Sequence, residues 1–224
     1  MKLLKFMLPV LIIAFFIVMQ IFLPVNINSQ EIISDETEYD SEGVQVFEDI
    51  ASIFYYGNGD TRIHTWINSG NKTFKYSGSN GWFSTKKGGY EGNKLLHSIT
   101  GDWNADGFTD LAGFYDYGQG VTRIHVWLNN GGTSFNYQKS AGWWESTRGY
   151  NANNIVSASA GDYNGDGYDD IAAFYDYGND ETRIHVWLSN GSSRFNYEGS
   201  RGWWAVKGYP SKNIINTLTG EFGD

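Results

Sequence analysis

Two nine-residue stretches of this chain carry oxygen-bearing side chains at matching intervals. They are Asp102-Trp103-Asn104-Ala105-Asp106-Gly107-Phe108-Thr109-Asp110 and Asp162-Tyr163-Asn164-Gly165-Asp166-Gly167-Tyr168-Asp169-Asp170. Carboxylates at the first, fifth and ninth positions, an Asn at the third and a Gly at the sixth describe a set of hard oxygen donors on a sharp turn. That chemistry suits calcium, which takes about six to eight oxygen ligands at about 2.3–2.6 Å. The spacing gives Asp102, Asn104, Asp106 and Asp110 as side-chain ligands with the Phe108 carbonyl beside them, and Asp162, Asn164, Asp166 and Asp170 with the Tyr168 carbonyl in the second copy. An EF-hand is excluded, because its twelfth position needs a bidentate Glu between two helices. Here that position is Gly113 or Ala173, inside segments that read as strands. A lone Asp-Gly-rich stretch would read as a turn; its recurrence favours the metal.

The elements that position these loops repeat with them. Thr61-Arg62-Ile63-His64-Thr65-Trp66 returns as Thr122-Arg123-Ile124-His125-Val126-Trp127 and as Thr182-Arg183-Ile184-His185-Val186-Trp187, and Gly81-Trp82-Phe83 returns as Gly142-Trp143-Trp144 and Gly202-Trp203-Trp204. A period of about sixty residues marks a repeat architecture. Within one unit, residues 111–115, 123–128, 134–137 and 154–160 read as strands separated by Gly, Asn and Ser turns. Alternation over 123–128 places Ile124, Val126 and Leu128 on one face and Arg123, His125 and Trp127 on the other. Four antiparallel strands per unit describe a propeller blade, and a composition of 17% aromatic residues fits sheets covered on both faces.

The segment Gly101-Asp102-Trp103-Asn104-Ala105-Asp106-Gly107-Phe108-Thr109-Asp110-Leu111-Ala112 and its partner from Gly161 resemble the FG-GAP/VCBS repeats of bacterial extracellular proteins, related to the calcium-binding blades of integrin α-subunits. The resemblance covers residues 49–224. It implies an all-β chain of β-propeller blades, and calcium held by the residues named above. About three repeats are present (49–110, 111–170 and 171–224), fewer than the four to eight blades of a closed propeller. The chain therefore reads as an incomplete propeller or a fragment, or as a protomer that closes with further blades or other chains. A β-trefoil is the alternative for three repeats, but its units are shorter.

Residues 1–30 read as a signal peptide or an uncleaved membrane anchor, with Lys2 and Lys5 ahead of an apolar run. Residues 31–48 read as an acidic linker. A chain without cysteine sent outside the cell cannot rely on disulfides, which leaves calcium as the substitute. A net charge of −9 argues against nucleic acid as a partner, and against membrane contact except through an uncleaved N-terminal segment.

For ligand contact there are two candidate surfaces. Arg123, His125, Arg183 and His185 on the repeated strand offer hydrogen-bond donors beside Trp for a sugar, against a role in packing between blades. Trp82, Trp143, Trp144, Trp203 and Trp204 offer repeated aromatic platforms, since adjacent residues of a strand point to opposite sides. No nucleophile elbow, zinc helix or phosphate loop is present, and the carboxylates recur as equivalents where catalysis needs unlike pairs. The expected function is a secreted or cell-surface, non-catalytic, calcium-binding module for a glycan or an extracellular protein. An accessory domain of a polysaccharide-active enzyme and a purely structural repeat are the alternatives.

Overall fold

The runs rich in β-branched and aromatic residues form fourteen short strands in a computed structural model that describes residues 47–223. The expected signal or anchor segment, and the linker up to residue 46, lie outside the described residues. Three antiparallel sheets follow one another along the chain. The first holds β1 (Ile50–Tyr55), β2 (Thr61–Asn68), β3 (Phe74–Tyr76) and β4 (Phe83–Ser84). The second holds β5 (Leu95–Gly101), β6 (Asp110–Gly118), β7 (Val121–Asn129), β8 (Phe135–Tyr137) and β9 (Trp144–Ser146), and the third holds β10 (Ile155–Gly161), β11 (Asp170–Gly178), β12 (Glu181–Ser189), β13 (Phe195–Tyr197) and β14 (Trp204–Lys207). Over the described residues the chain is all-β, and its sheets are propeller-like blades.

In the second sheet the order is β5-β6-β7-β8, with β9 also paired to β7. The strands β8 and β9 share that neighbour end to end: Trp127 faces Tyr137, and Ile124 faces Trp144. They are two halves of one outer strand, interrupted by a turn that ends at Gly142. A sheet of four antiparallel strands with a broken outer strand is therefore present, but the strand expected at 154–160 is β10 of the third sheet, and β5 fills that place in the second. Gly142 sits at φ +70°, and a Cβ there would lie 2.5 Å from the Ile124 carbonyl oxygen. That close approach lets the Trp143 N–H donate to the same carbonyl at 2.8 Å, so the Gly-Trp-Trp motif re-enters the sheet only because its first residue lacks a side chain.

The sheets are out of phase with the sequence repeat as divided at 110/111 and 170/171. Gly101 pairs with Asp110, and Gly161 with Asp170. Each acidic loop is thus a connection between two strands of a single sheet, not the close of one unit as the repeat bounds at 110 and 170 place it. Sequence similarity fixes the period of a repeat but leaves its starting point free.

Aromatic side chains join the sheets. Trp82 packs on Phe135 and Phe83 on Tyr137, and the next pair of sheets repeats this as Trp143 on Phe195 and Trp144 on Tyr197, with ring centroids 5.4–5.8 Å apart. Backbone bonds run alongside, from Phe135 N–H to the Trp82 carbonyl and from Phe195 N–H to the Trp143 carbonyl. Ile124, Val126, His125 and Trp127 are all buried, so both faces of β7 are covered, as the alternation with aromatic content on each side required.

Candidate metal loops and aromatic cleft

Both acidic loops close on their own amides. Asp102 accepts the Asp106 and Gly107 N–H groups at 3.1 and 2.8 Å, and Asp162 accepts those of Gly165, Asp166 and Gly167 at 2.7–3.1 Å. Asn104 and Asn164 each accept the N–H of the Asp two residues on, and Asp106 and Asp166 those of Phe108 and Tyr168. Gly107 and Gly167, at the sixth position, have φ +83° and +90°, the left-handed turn the spacing demanded.

The ninth position differs from the others. Asp110 is fully buried; its two oxygens accept N–H groups from Asn129 on β7 and Trp103 in the loop, at 2.7 and 3.2 Å. Asp170 does the same with Ser189 and Tyr163 at 2.7 and 3.1 Å. Burial pushes the Asp110 carboxyl up to about 7 and Asp170 up to about 6, with Asp106, Asp102 and their counterparts Asp166 and Asp162 adding like-charge repulsion and the amides opposing it. Asp162 is held below the ordinary range by its loop amides.

These residues fit a divalent cation by the chemistry of the donor set. The like charges of Asp102, Asp106 and Asp110 act on one another, and a carboxylate oxygen accepting one N–H keeps a second lone pair. Among the described residues no three His, Cys, Asp or Glu side chains are gathered into a group that could hold a metal ion.

The loops also contact each other across sheets. Asp102 N–H donates to the Asp169 carboxylate at 2.8 Å, and Asp169 N–H donates back to the Asp102 carbonyl at 3.0 Å. Ser189 Oγ donates to the Trp103 carbonyl at 2.8 Å in a buried position. Nothing in the spacing marked Asp169 or Ser189, because neither belongs to the donor pattern.

Of the residues considered for ligand contact, His125 and His185 are sealed from solvent and Trp143 is buried. Trp82 and Trp144 are half-buried against the following sheet. These side chains touch protein, a correction to their reading as ligand contacts: the first and second sheets use their Gly-Trp-Phe and Gly-Trp-Trp strands to grip the sheet that follows. Trp203 and Trp204 are exposed.

Arg123 and Arg183 belong to a repeated cluster around the histidines. Tyr117 Oη lies 3.3 Å from His125 Nε2 and Tyr137 Oη 2.9 Å from Nδ1, while the Arg123 guanidinium stacks 4.5 Å from the Tyr117 ring centre and donates to the Ser140 carbonyl. Around His185 the corresponding groups are Tyr177, Tyr197 and Arg183.

Desolvation, with the neighbouring Arg adding to it, lowers His125 and His185 to about 4. An unfolded chain would protonate both near pH 6.5. Their contribution to stability is therefore complete above about pH 6.5 and is lost as pH falls toward 4. Proton NMR titration should show two imidazoles with midpoints near 4; midpoints near 6.5 would contradict the buried neutral cluster.

Beside this cluster, between the first two sheets, a cleft of about 230 Å³ is lined by Tyr90, Tyr115, Tyr117, Tyr137, Glu91 and Ser140 among others. Sequence reading missed it because Tyr90 and Glu91 lie outside every repeated motif considered.

Sheets of this kind joined through such loops define a repeat protein of propeller-like blades. Residues 102–173 match the family model described as an FG-GAP-like repeat, a span that takes in both acidic loops, and the chain carries that repeat. No curated protein matches the chain.

Proposed function

We propose that this chain is an exported, non-catalytic, calcium-binding module that recognises an extracellular glycan. The observation that carries the proposal is the pair of loops with the same oxygens on the same turn, in successive sheets tied to each other through Asp102 and Asp169. Asp102, Asn104, Asp106 and Asp110, with the Phe108 carbonyl, would hold one ion; Asp162, Asn164, Asp166 and Asp170, with the Tyr168 carbonyl, the other. A bound cation would supply positive charge beside the one buried carboxylate of each loop, Asp110 or Asp170, and the more exposed carboxylates that repel it. Export is supported by the apolar N-terminal run that follows Lys2 and Lys5.

The tyrosine-lined cleft supports the glycan reading. Its volume is below the ~300–1,000 Å³ of drug-sized pockets, a scale suited to one sugar ring. Phenol rings offer apolar faces with polar tips, and Glu91 and Ser140 add polar groups. A glycan array probed in millimolar calcium should retain the chain on one class of sugar. Tyr117→Ala should weaken that binding by about tenfold, equivalent to about 1.4 kcal/mol. Retention on no glycan, unchanged binding by the variant, or turnover of the sugar would each count against a non-catalytic sugar-binding cleft; a protein ligand would be the reading left by the first of these.

A further inference from the structure

The repeat gives the tyrosine-lined cleft between the first two sheets an internal comparison, because the same connection follows the second sheet. Thr85 and Ser146 correspond, their hydroxyls accepting a backbone N–H from Thr61 and from Thr122 at 3.0 and 3.3 Å. Tyr90 and Tyr150 correspond as well: their carbonyls accept the Oγ–H of those same two threonines. Between these landmarks stand four residues in the first connection, Lys86 to Gly89, and three in the second, Thr147 to Gly149. Just beyond them the first connection has Glu91 where the second has Asn151.

Two polar groups that the second connection satisfies are left over in the first. Tyr150 Oη lies 3.0 Å from His185 Nδ1, while Asn151 spends its N–H on Tyr175 Oη and its side-chain oxygen on the Asn153 N–H. Tyr90, by contrast, is 7% exposed, and its Oη has no hydrogen-bond partner among the described residues. Glu91 accepts the Tyr55 O–H on one oxygen, and among the described residues no Lys, Arg or His forms an ion pair with it. Both residues line the cleft. One brings a negative charge without a counter-charge; the other brings a hydroxyl that can turn its lone pairs toward a cation.

Positive side chains lie around the cleft and not in its wall. Arg123 is paired with Glu145 at 3.1 Å and stacked on Tyr117. Lys86 and Lys87 are exposed, and Lys87 acts on Asp60. His125, stacked on Tyr115 at 5.0 Å, is buried and neutral near pH 7. The wall itself is made of phenol rings, with Tyr90 centred 4.9 Å from Tyr115 and 5.8 Å from Tyr137. An ammonium is attracted to aromatic faces within about 6 Å of the ring centre, and a carboxylate beside them adds a charge-assisted hydrogen bond.

We propose that the ligand of this cleft carries a protonated amine; resting on the sugar-binding reading above, that makes it a glycan with unacetylated amino sugars. The ammonium sits against the tyrosine rings and donates to the open oxygen of Glu91. An acetylated amine brings no charge, and would leave the Glu91 carboxylate without a counter-charge in a cleft emptied of water. Acidic sugars are opposed by Glu91 and by the net charge of −9. With Asn151 in place of the carboxylate, the second connection carries no such preference.

The test is calorimetric titration of the full chain, in millimolar calcium, with glucosamine oligomers and with N-acetylglucosamine oligomers of the same length. At about pH 6 an amine of ordinary basicity is protonated. The amine-bearing oligomers should bind about tenfold more tightly, the scale of one hydrogen bond to a charged group. Glu91→Gln, which keeps an acceptor for Tyr55 but removes the charge, should bring the two affinities within about threefold of each other. In the unaltered chain, added salt should shrink the preference, since partly exposed charges are screened; this readout stands even if the variant fails to fold. Equal binding of the two oligomers, tighter binding of the acetylated one, or a preference that survives both Glu91→Gln and added salt would overturn the amine and leave sugar binding in place. Binding of no glycan at all would remove both.

Discussion

Trp187→Ala should cost about 3–5 kcal/mol, the range for deleting a buried Trp side chain, and lower the melting temperature accordingly. Trp187 is fully buried on β12 and touches Phe114 and Trp144 of the preceding sheet, Tyr150 from the connection between the sheets, and Tyr197 of its own. Its truncation opens a cavity where two sheets and their connection meet, and rigid strands on both sides limit collapse into it. Trp187→Phe should cost clearly less, because it keeps most of the ring area and removes an indole N–H that has no partner. Phe108→Ala provides the contrast. That side chain is exposed on the acidic loop, and surface changes lie within about 0.5 kcal/mol. Chemical denaturation of the three variants measures this order; equal losses for Trp187→Ala and Phe108→Ala would refute a core built between the sheets.

Gly142→Ala should cost about 2–5 kcal/mol, combining left-handed backbone strain with overpacking. The added methyl meets backbone, the Ile124 carbonyl oxygen at 2.5 Å, and neither strand can retreat without losing the Trp143 bond to that same oxygen. Gly118→Ala separates the two effects. Gly118 has a similar φ of +79° with nothing within 4 Å of the added atom, so only the strain of about 1–2 kcal/mol applies. If the two variants melted together, close approach would not be the reason for glycine at the start of the Gly-Trp-Trp strand.

Much of this was legible in the sequence, for identifiable reasons. The Arg-Ile-His-Val-Trp strand reveals itself by alternation, and β7 and β12 extend only slightly beyond it. Gly107 and Gly167 reveal the turn because few other residues adopt its backbone. The phase of the sheets was not legible, since a circularly similar repeat has no marked start. Nor was the burial of Asp110 and Asp170: a donor pattern does not distinguish an oxygen turned to solvent from one held by the N–H of Asn129 or Ser189 across the sheet. The tyrosines around His125 were hidden because they come from β6, β8 and the connection before β5, which only folding brings together.

The loops remain the centre of the account, because the buried carboxylates at their ninth positions are costly when ionised and alone. With affinities on the order of 10⁻³ M, typical of extracellular calcium modules, two sites in 10 mM calcium would contribute about 3 kcal/mol. For a domain of this size that corresponds to a rise in melting temperature of about 6–11 °C. The most direct measurement is calorimetric melting in 10 mM calcium and in excess EDTA, for the unaltered chain and for Asp102→Ala with Asp162→Ala. A rise of that size in the unaltered chain, abolished in the double variant, is the predicted result; identical melts with and without calcium would show that the loops hold no ion.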